Sequence, residues 1–422
     1  MRKLRCMLWL HYRASPLREQ IGLRYTHSVR LLWVAVFLWI AQGWAENGYV
    51  LLIGADGVRH DYLDLYAAPR LRGLRETGSS ARALIPCFPS TTFPNFYSMA
   101  TGLRPARHGL IDMLFYDPGR GERFYYREPD KVSDGSWYGG TPIWTLAGRA
   151  GLRTASYFWV GTEAEIGGAR PSWWHRYDGR VSHEERVRQV QDWLALPAPE
   201  RPRLVMVYFA DVDSASHMHG PESEPVREAM KRVDETVGGL IDAAAAAQPP
   251  VNVIVVSDHG GIAVRGRIRL EEYADFRGFH VASGGNLVRL YSQDQALIER
   301  TYRALKGRDR RFEVYRRHQL PAHLHHRGNP RAGDLIVMAT GPDLLVTGVS
   351  LGPPKGTHGQ DPRQFPEMRG IFLAAGPGIR RGVRVPAFEN VHVYPLVAHL
   401  LGLKAPEGID GRLAPVKALL TQ

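Results

Sequence analysis

Gly48-Tyr-Val-Leu-Leu-Ile-Gly-Ala-Asp56 decides the architecture of this chain. Its apolar run shows no alternation of the kind a half-solvated strand needs, so it reads as a strand buried on both faces that stops at a carboxylate. Leu204-Val-Met-Val-Tyr-Phe209 and Val251-Asn-Val-Ile-Val-Val256 repeat the pattern, each ending where a polar cluster begins. Between them lie helical stretches, Glu184 to Leu194 and Pro225 to Ala247, the latter with apolar Val233, Val237, Leu240 and Ile241 on one side. Strands alternating with helices predict an α/β fold with a mostly parallel central sheet flanked by helices. Ligands of such sheets gather outside the carboxyl ends of the strands, where Asp56, Asp213 and Asp258 fall.

Five segments carry chemistry. They are Ile53-Gly-Ala-Asp56-Gly57, Pro89-Ser-Thr-Thr-Phe-Pro-Asn95, Asp213-Ser-Ala-Ser-His217, Ser257-Asp-His-Gly260 and Gly356-Thr-His-Gly359. Asp56, Asp213, His217, Asp258, His259 and His358 supply six carboxylate or imidazole ligands, three for each of two divalent ions, with Thr92 or substrate completing the metal shells. Mixed nitrogen and oxygen donors suit zinc, with other divalent metals admissible. Two ions about 3.5 to 4 Å apart are the arrangement for phosphoryl chemistry, one holding the attacking oxygen and the other the departing one. A threonine hydroxyl is inert at neutral pH without such help. Each element alone has a plainer reading: Asp56 as a helix cap, Asp213 and His217 as solvated turn residues, His358 as an exposed loop histidine. Their occurrence together and in this order outweighs those readings.

In that order and context the segments resemble the nucleotide pyrophosphatase/phosphodiesterase branch of the alkaline phosphatase superfamily. Met99-Ala-Thr-Gly-Leu-Arg-Pro-Ala-Arg-His-Gly109, Tyr157-Phe-Trp-Val-Gly-Thr-Glu-Ala-Glu-Ile-Gly-Gly168 and Ile371-Phe-Leu-Ala-Ala-Gly-Pro377 extend the resemblance over nearly all of the chain after the leader. It implies an alkaline-phosphatase-like fold. It also implies that Thr92, before Phe-Pro-Asn95, is the nucleophile, with Asp56, Asp258 and His259 holding one zinc beside it and Asp213, His217 and His358 the other. Thr92 would attack phosphorus, and water would then hydrolyse a phospho-threonine intermediate. Phe93, Trp173 and Trp174 resemble the aromatics that sandwich a nucleobase in that family, base stacking being worth about 1 to 3 kcal/mol. His108 matches a family position that is not a ligand there and reads as structural.

The chain departs from the family pattern at Met113, where the family places an asparagine amide that helps hold a non-bridging phosphate oxygen. A thioether donates no hydrogen bond, and losing one such donor costs on the order of a hundredfold in rate. Ser216 before His217 and Gln360 after Gly359 are milder departures that remove no ligand. The expected function is therefore zinc-dependent hydrolysis of phosphodiesters, nucleotides first among them. The alternatives are a choline or lysophospholipid phosphodiesterase, an alkaline-phosphatase-like monoesterase, and a degenerate protein that binds phosphate ligands without turnover.

At the N-terminus, His27-Ser-Val-Arg30, the eleven-residue run Leu31 to Ala41 and Gln-Gly-Trp-Ala45 read as basic flank, apolar segment and small-residue cleavage site. A spanning helix needs about 20 apolar residues, so residues 1–45 are expected to be a signal peptide and not an anchor. An initiation site placed too far upstream accounts equally well for residues 1–26. The catalytic domain is expected over 46–422, with an inserted subdomain at 261–348 where the strand–helix pattern loosens, and the location as periplasmic or secreted. Cleavage would remove seven Lys or Arg and one Glu, lowering the net charge from +12 to +6. The remaining Arg308-Asp-Arg-Arg311 and Arg316-Arg317 read as solvated faces, so no nucleic-acid partner is expected. Cys6 leaves with the leader; Cys87 stands alone in an apolar segment, which argues against a disulfide and against cysteine chemistry.

Overall fold

The computed structural model describes residues 48–348 and 354–421. The signal peptide expected at 1–45 lies outside the described residues. Six strands of the central sheet come from the first part of the described chain: β1 Tyr49–Ala55, β2 Ser79–Ala81, β3 Thr154–Tyr157, β4 Trp173–His175, β5 Leu204–Phe209 and β6 Val251–Val256. Four more, β7 His280–Ser283, β8 Leu287–Tyr291, β9 Phe312–Arg316 and β10 Leu335–Ala339, precede β11 Phe372–Ala375 and β12 Arg384–Val385. The central sheet has eight strands in the order β12-β2-β11-β6-β1-β5-β3-β4. Its middle is parallel, β1 pairing with β5 and β6, while β11 runs antiparallel to β6. β1, β5 and β6 are buried at every residue, which is why their sequences are apolar without alternation.

The main helices are α1 Pro69–Thr77, α2 Thr92–Thr101, α3 His183–Ala195, α4 Asp211–His219, α5 Glu224–Ala246, α6 Gln295–Leu305 and α7 Val393–Leu400. The 23-residue α5 packs on β1 and β6 and gathers α1, α3 and α4 around it. α7 packs on β1 and against α2. α3 starts at Ser182, whose hydroxyl accepts the Glu185 N–H, and carries Glu184 and Glu185 in its first turn, where the helix dipole favours acids.

Strands β7 to β10 form a second, antiparallel sheet in the order β7-β8-β10-β9. Val288 and Leu290 of β8 share a core of their own with Ile298 and Leu305 of α6 and Val337 of β10. The opposite face of the same strand, through Leu287, packs with Phe88, which comes four residues before Thr92. The second sheet therefore abuts the loop that leads into α2.

Candidate active site

The parallel register sets three strand ends side by side. Gly54 pairs with Tyr208 on one side and Val256 on the other, so Asp56, the start of α4 and Asp258-His259 follow at one edge of the sheet. Gly57 lets the first of these turns close on α4: it has φ of +72°, and a Cβ there would stand 2.8 Å from Asp213 Cα. Such an approach is open only to glycine. Asp213 and His217 lie one helical turn apart on α4, the i,i+4 spacing that stacks two side chains on one face.

The six expected ligands converge. His259 Nε2 lies 3.5 Å from Asp56 Oδ1 and 3.0 Å from Asp258 Oδ2. Asp213 reaches His217 Nε2 at 3.5 Å and His358 Nε2 at 3.6 Å through its two oxygens. Asp56, Asp258 and His259 form one group able to hold an ion, and Asp213, His259 and His358 a second, so His259 stands at the wall between two adjoining centres. Its ring stacks on His358 with centroids 3.7 Å apart.

The donor set fits divalent cations. His217 Nδ1 faces Gly356 O, His358 Nδ1 faces Ser90 O and His259 Nδ1 faces Gly260 O, each at 2.9 Å. A carbonyl only accepts, so in each case Nδ1 carries a proton and Nε2 is the nitrogen turned inward, where a cation would take its lone pair. The Nε2 atoms of His217 and His358 are 3.0 Å apart. Asp56 Oδ1 and Asp258 Oδ2 are buried without a hydrogen-bond partner. Burial and the nearby Asp258 and Asp213 carboxylates push Asp56 well above the usual carboxylate range. For His358, burial and the His259 and His217 rings hold the imidazole well below its ordinary value, so it is neutral. Burial opposes protonation of His259 as well, yet Asp258, Asp56 and Asp213 together raise it to about 10. A cation among these atoms would satisfy the unpartnered Asp56 and Asp258 oxygens, take the place of the His259 proton and accept the lone pair of neutral His358.

Thr92 is the first residue of α2, buried, with Oγ1 3.3 Å from His259 Nε2. Thr91, the other hydroxyl of the motif, points elsewhere and donates to Asp112 Oδ1 at 3.1 Å. The tight loop before α2 is tied by Asn95, whose side-chain amide donates to Pro89 O and Thr91 O and whose Oδ1 accepts the Cys87 N–H. Met113 Sδ accepts the Phe93 N–H at 3.3 Å. Phe93 is half-buried against Tyr126 and Phe124, with centroids 5.8 and 6.1 Å away. His108 is buried among Ser98 Oγ, Pro94 O and the Leu110 N–H, a packing role. Cys87 is buried too, its thiol pushed up to about 12.

Trp173 and Trp174 are not brought to the cluster. They lie in the edge strand β4, in register with Ala155 and Ser156 and through them with Val205 and Met206, then Leu51 and Leu52. That level is four to five residues short of Asp56, roughly 13 to 17 Å down the strands at the usual rise, and three strands across. Their rings lie under Arg153 and Arg170 instead. The aromatic that does lie beside the site is Tyr177, two residues past the carboxyl end of β4 and 48% exposed. Its ring stands 5.2 Å from Phe158 and 6.1 Å from Tyr208, whose hydroxyl donates to Asp56 Oδ2. The signal for it was position: the rule that ligands gather beyond strand carboxyl ends favours Tyr177 over the mid-strand tryptophans.

An eight-stranded, mostly parallel sheet with a helix-end threonine facing an aspartate–histidine cluster defines an alkaline-phosphatase-like α/β protein. Residues 50–361 match the family model for type I phosphodiesterase/nucleotide pyrophosphatase, and the chain belongs to that family. Ectonucleotide pyrophosphatase/phosphodiesterase family member 1 of Rattus norvegicus is 34% identical over 378 residues, covering 85% of this chain and 41% of the relative. A venom phosphodiesterase of Crotalus durissus collilineatus is 32% identical over 390 residues, 89% of this chain and 47% of its own. The chain thus spans less than half the length of these curated relatives. Among solved structures, murine ectonucleotide pyrophosphatase/phosphodiesterase 5, as an inactive variant in complex with AMP, superposes with a TM-score of 0.84 at 28% identity, covering 89% of this chain and all of that one.

Proposed function

We propose that the protein is a zinc-dependent phosphodiesterase that cleaves nucleotide-type phosphodiester or pyrophosphate bonds through a phospho-threonine intermediate on Thr92. The observation that carries this reading is the Thr92 hydroxyl, at the positive end of a ten-residue helix, facing His259 in a cluster of aspartate and histidine donors. Asp56, Asp258 and His259 would hold one cation and Asp213, His217 and His358 the other. Bound there, the pair would lower the pKa of the threonine hydroxyl and neutralise the departing oxygen.

The chain's own groups do the rest. Thr92 Oγ1 forms a bond to phosphorus as the bond to the leaving oxygen breaks on the opposite side. Water then cleaves the phospho-threonine and returns Thr92 to its hydroxyl form. The Thr92 N–H, and the Phe93 N–H in exchange for its weak Met113 thioether acceptor, would receive the non-bridging oxygens. Phe93 and Tyr177 supply aromatic faces for a nucleobase, in keeping with the AMP held by the related structure. Beside Tyr177, a groove of about 580 Å³ runs along the flank of α4 past Ser214 and Met218, giving a substrate room to extend. The leader-like residues 1–45 are the ground for inferring a periplasmic or extracellular location.

The test is hydrolysis of p-nitrophenyl thymidine monophosphate, p-nitrophenyl phosphorylcholine and p-nitrophenyl phosphate by purified, zinc-loaded protein. Preference for the nucleotide diester is the expected result. Preference for the choline diester would retain the mechanism and move the substrate to lipid head groups, and equal or faster monoester hydrolysis would overturn the diesterase reading.

A further inference from the structure

Strand β8 of the second sheet sends one face toward the active site. Leu287 packs with Phe88, and Asn286, just before the strand, sits against Gly359, whose φ is +106° and where a Cβ would stand 2.6 Å from Asn286 Oδ1. Two residues on from Leu287, Arg289 is 1% exposed and donates through Nη1 to Asp112 Oδ2 and through Nη2 to Ile111 O at 3.4 Å. Asp112 is equally buried, and its other oxygen accepts Thr91 Oγ1–H at 3.1 Å and the Met113 N–H at 2.8 Å. Replacing a buried ion pair by apolar residues of similar volume is often neutral or stabilising, so stability alone does not account for this one.

What the pair controls is the end of α2. Thr91 is the N-cap residue of that helix, yet its hydroxyl caps nothing. A capping hydroxyl accepts the N–H of the second or third helical residue. The third is Pro94, which has no N–H, so the only such donor is Phe93. That N–H is held by the Met113 thioether, a weak acceptor.

We propose that Arg289 is a positioning residue for catalysis, fixing Asp112 so that it keeps the Thr91 hydroxyl off the helix end and leaves the Phe93 N–H on the weak Met113 acceptor, from which a phosphate oxygen can take it. The role rests on the phosphodiesterase reading above. Without Arg289, Asp112 would lose its anchor, and the Thr91 oxygen would swing to cap Phe93, withdrawing a donor from the atom next to the nucleophile.

The decisive comparison is among zinc-loaded wild type, the Arg289→Met/Asp112→Leu double variant, which removes both buried charges and the acceptor of the Thr91 hydroxyl together, and the same double variant carrying Thr91→Ala. With p-nitrophenyl thymidine monophosphate, the double variant is expected to lose 10- to 100-fold in kcat with KM within threefold and unchanged zinc content. Thr91→Ala is expected to recover most of that loss, because it deletes the competing cap; a merely structural pair would not be rescued by removing a third side chain. A folded, zinc-loaded double variant with wild-type kcat, or a loss that Thr91→Ala does not recover, would overturn the proposal. Wild-type protein inactive on every diester would instead remove the phosphodiesterase reading, and the positioning role with it.

Discussion

Tyr208 donates its phenolic hydroxyl to Asp56 Oδ2 across 2.5 Å, joining β5 to the first carboxylate of the site, with both groups buried. The bond orients Asp56 so that Oδ1, the oxygen without a partner, faces His259. Partners of this kind outside a metal's ligands are worth about 10- to 100-fold in affinity. Tyr208→Phe is therefore expected to weaken zinc retention by that factor, read as zinc content after dialysis against graded chelator, with the fold intact by circular dichroism.

Thr92→Ala removes the hydroxyl and leaves the aspartate and histidine donors, His217 beside Asp213 included, in place. The variant is expected to fold and keep wild-type zinc content while losing at least about a thousandfold in kcat, the scale of removing a nucleophile that other groups serve. Wild-type turnover would take Thr92 out of the role.

Tyr177→Ala is expected to raise KM for p-nitrophenyl thymidine monophosphate by about 10-fold or more, given base stacking of roughly 1 to 3 kcal/mol. Trp174→Ala, in the edge strand under Arg170, is expected to leave KM within twofold. The reverse pattern would restore the tryptophans to the base site.

Met113→Asn places an amide beside the Phe93 N–H and the end of α2. One added donor to a non-bridging oxygen is worth up to about a hundredfold in rate, so kcat on the nucleotide diester is expected to rise. A fall would mean that the thioether serves the reaction as it stands.

Acid stability has a defined slope. Burial pulls His108 down to about 3, against about 6.5 in the unfolded chain. Between those values the unfolded chain binds a proton that the folded one refuses. His108 therefore supports stability fully above pH 6.5, and that support falls by about 1.4 kcal/mol per pH unit on acidification toward 3. His326, pulled down by burial to about 4, acts with the same sign. Urea midpoints from pH 7 to pH 4 should fall less steeply for His108→Gln than for wild type.

The strands were legible wherever burial on both faces left an uninterrupted apolar run: Tyr49–Ala55, Leu204–Phe209 and Val251–Val256 form as written in the sequence. The long helices agree to within a residue or two, His183–Ala195 and Glu224–Ala246, because amphipathic spacing marks their length and Ser182 marks a start. The order of strands, with β1 between β5 and β6, was not legible, since pairing over 150 residues or more leaves no local trace. Nor was the second sheet resolved into strands, because β8 alternates between two different apolar surfaces and carries a buried arginine on one of them. Trp173 and Trp174 drew attention by their resemblance to the family's base-stacking aromatics, whereas Tyr177 is placed by geometry that only the register reveals.

The three imidazoles of the cluster are all steadied by peptide carbonyls, those of Gly356, Ser90 and Gly260. A carbonyl oxygen belongs to the main chain and persists whatever side chain replaces its residue. The histidine half of the centre is thus insulated from single codon changes in its support, while the carboxylate half, with Asp56 steadied by the hydroxyl of Tyr208, can be detuned by one. Graded variants of this centre are accordingly to be sought on the aspartate side, where support can be withdrawn a bond at a time without disturbing the ligands themselves.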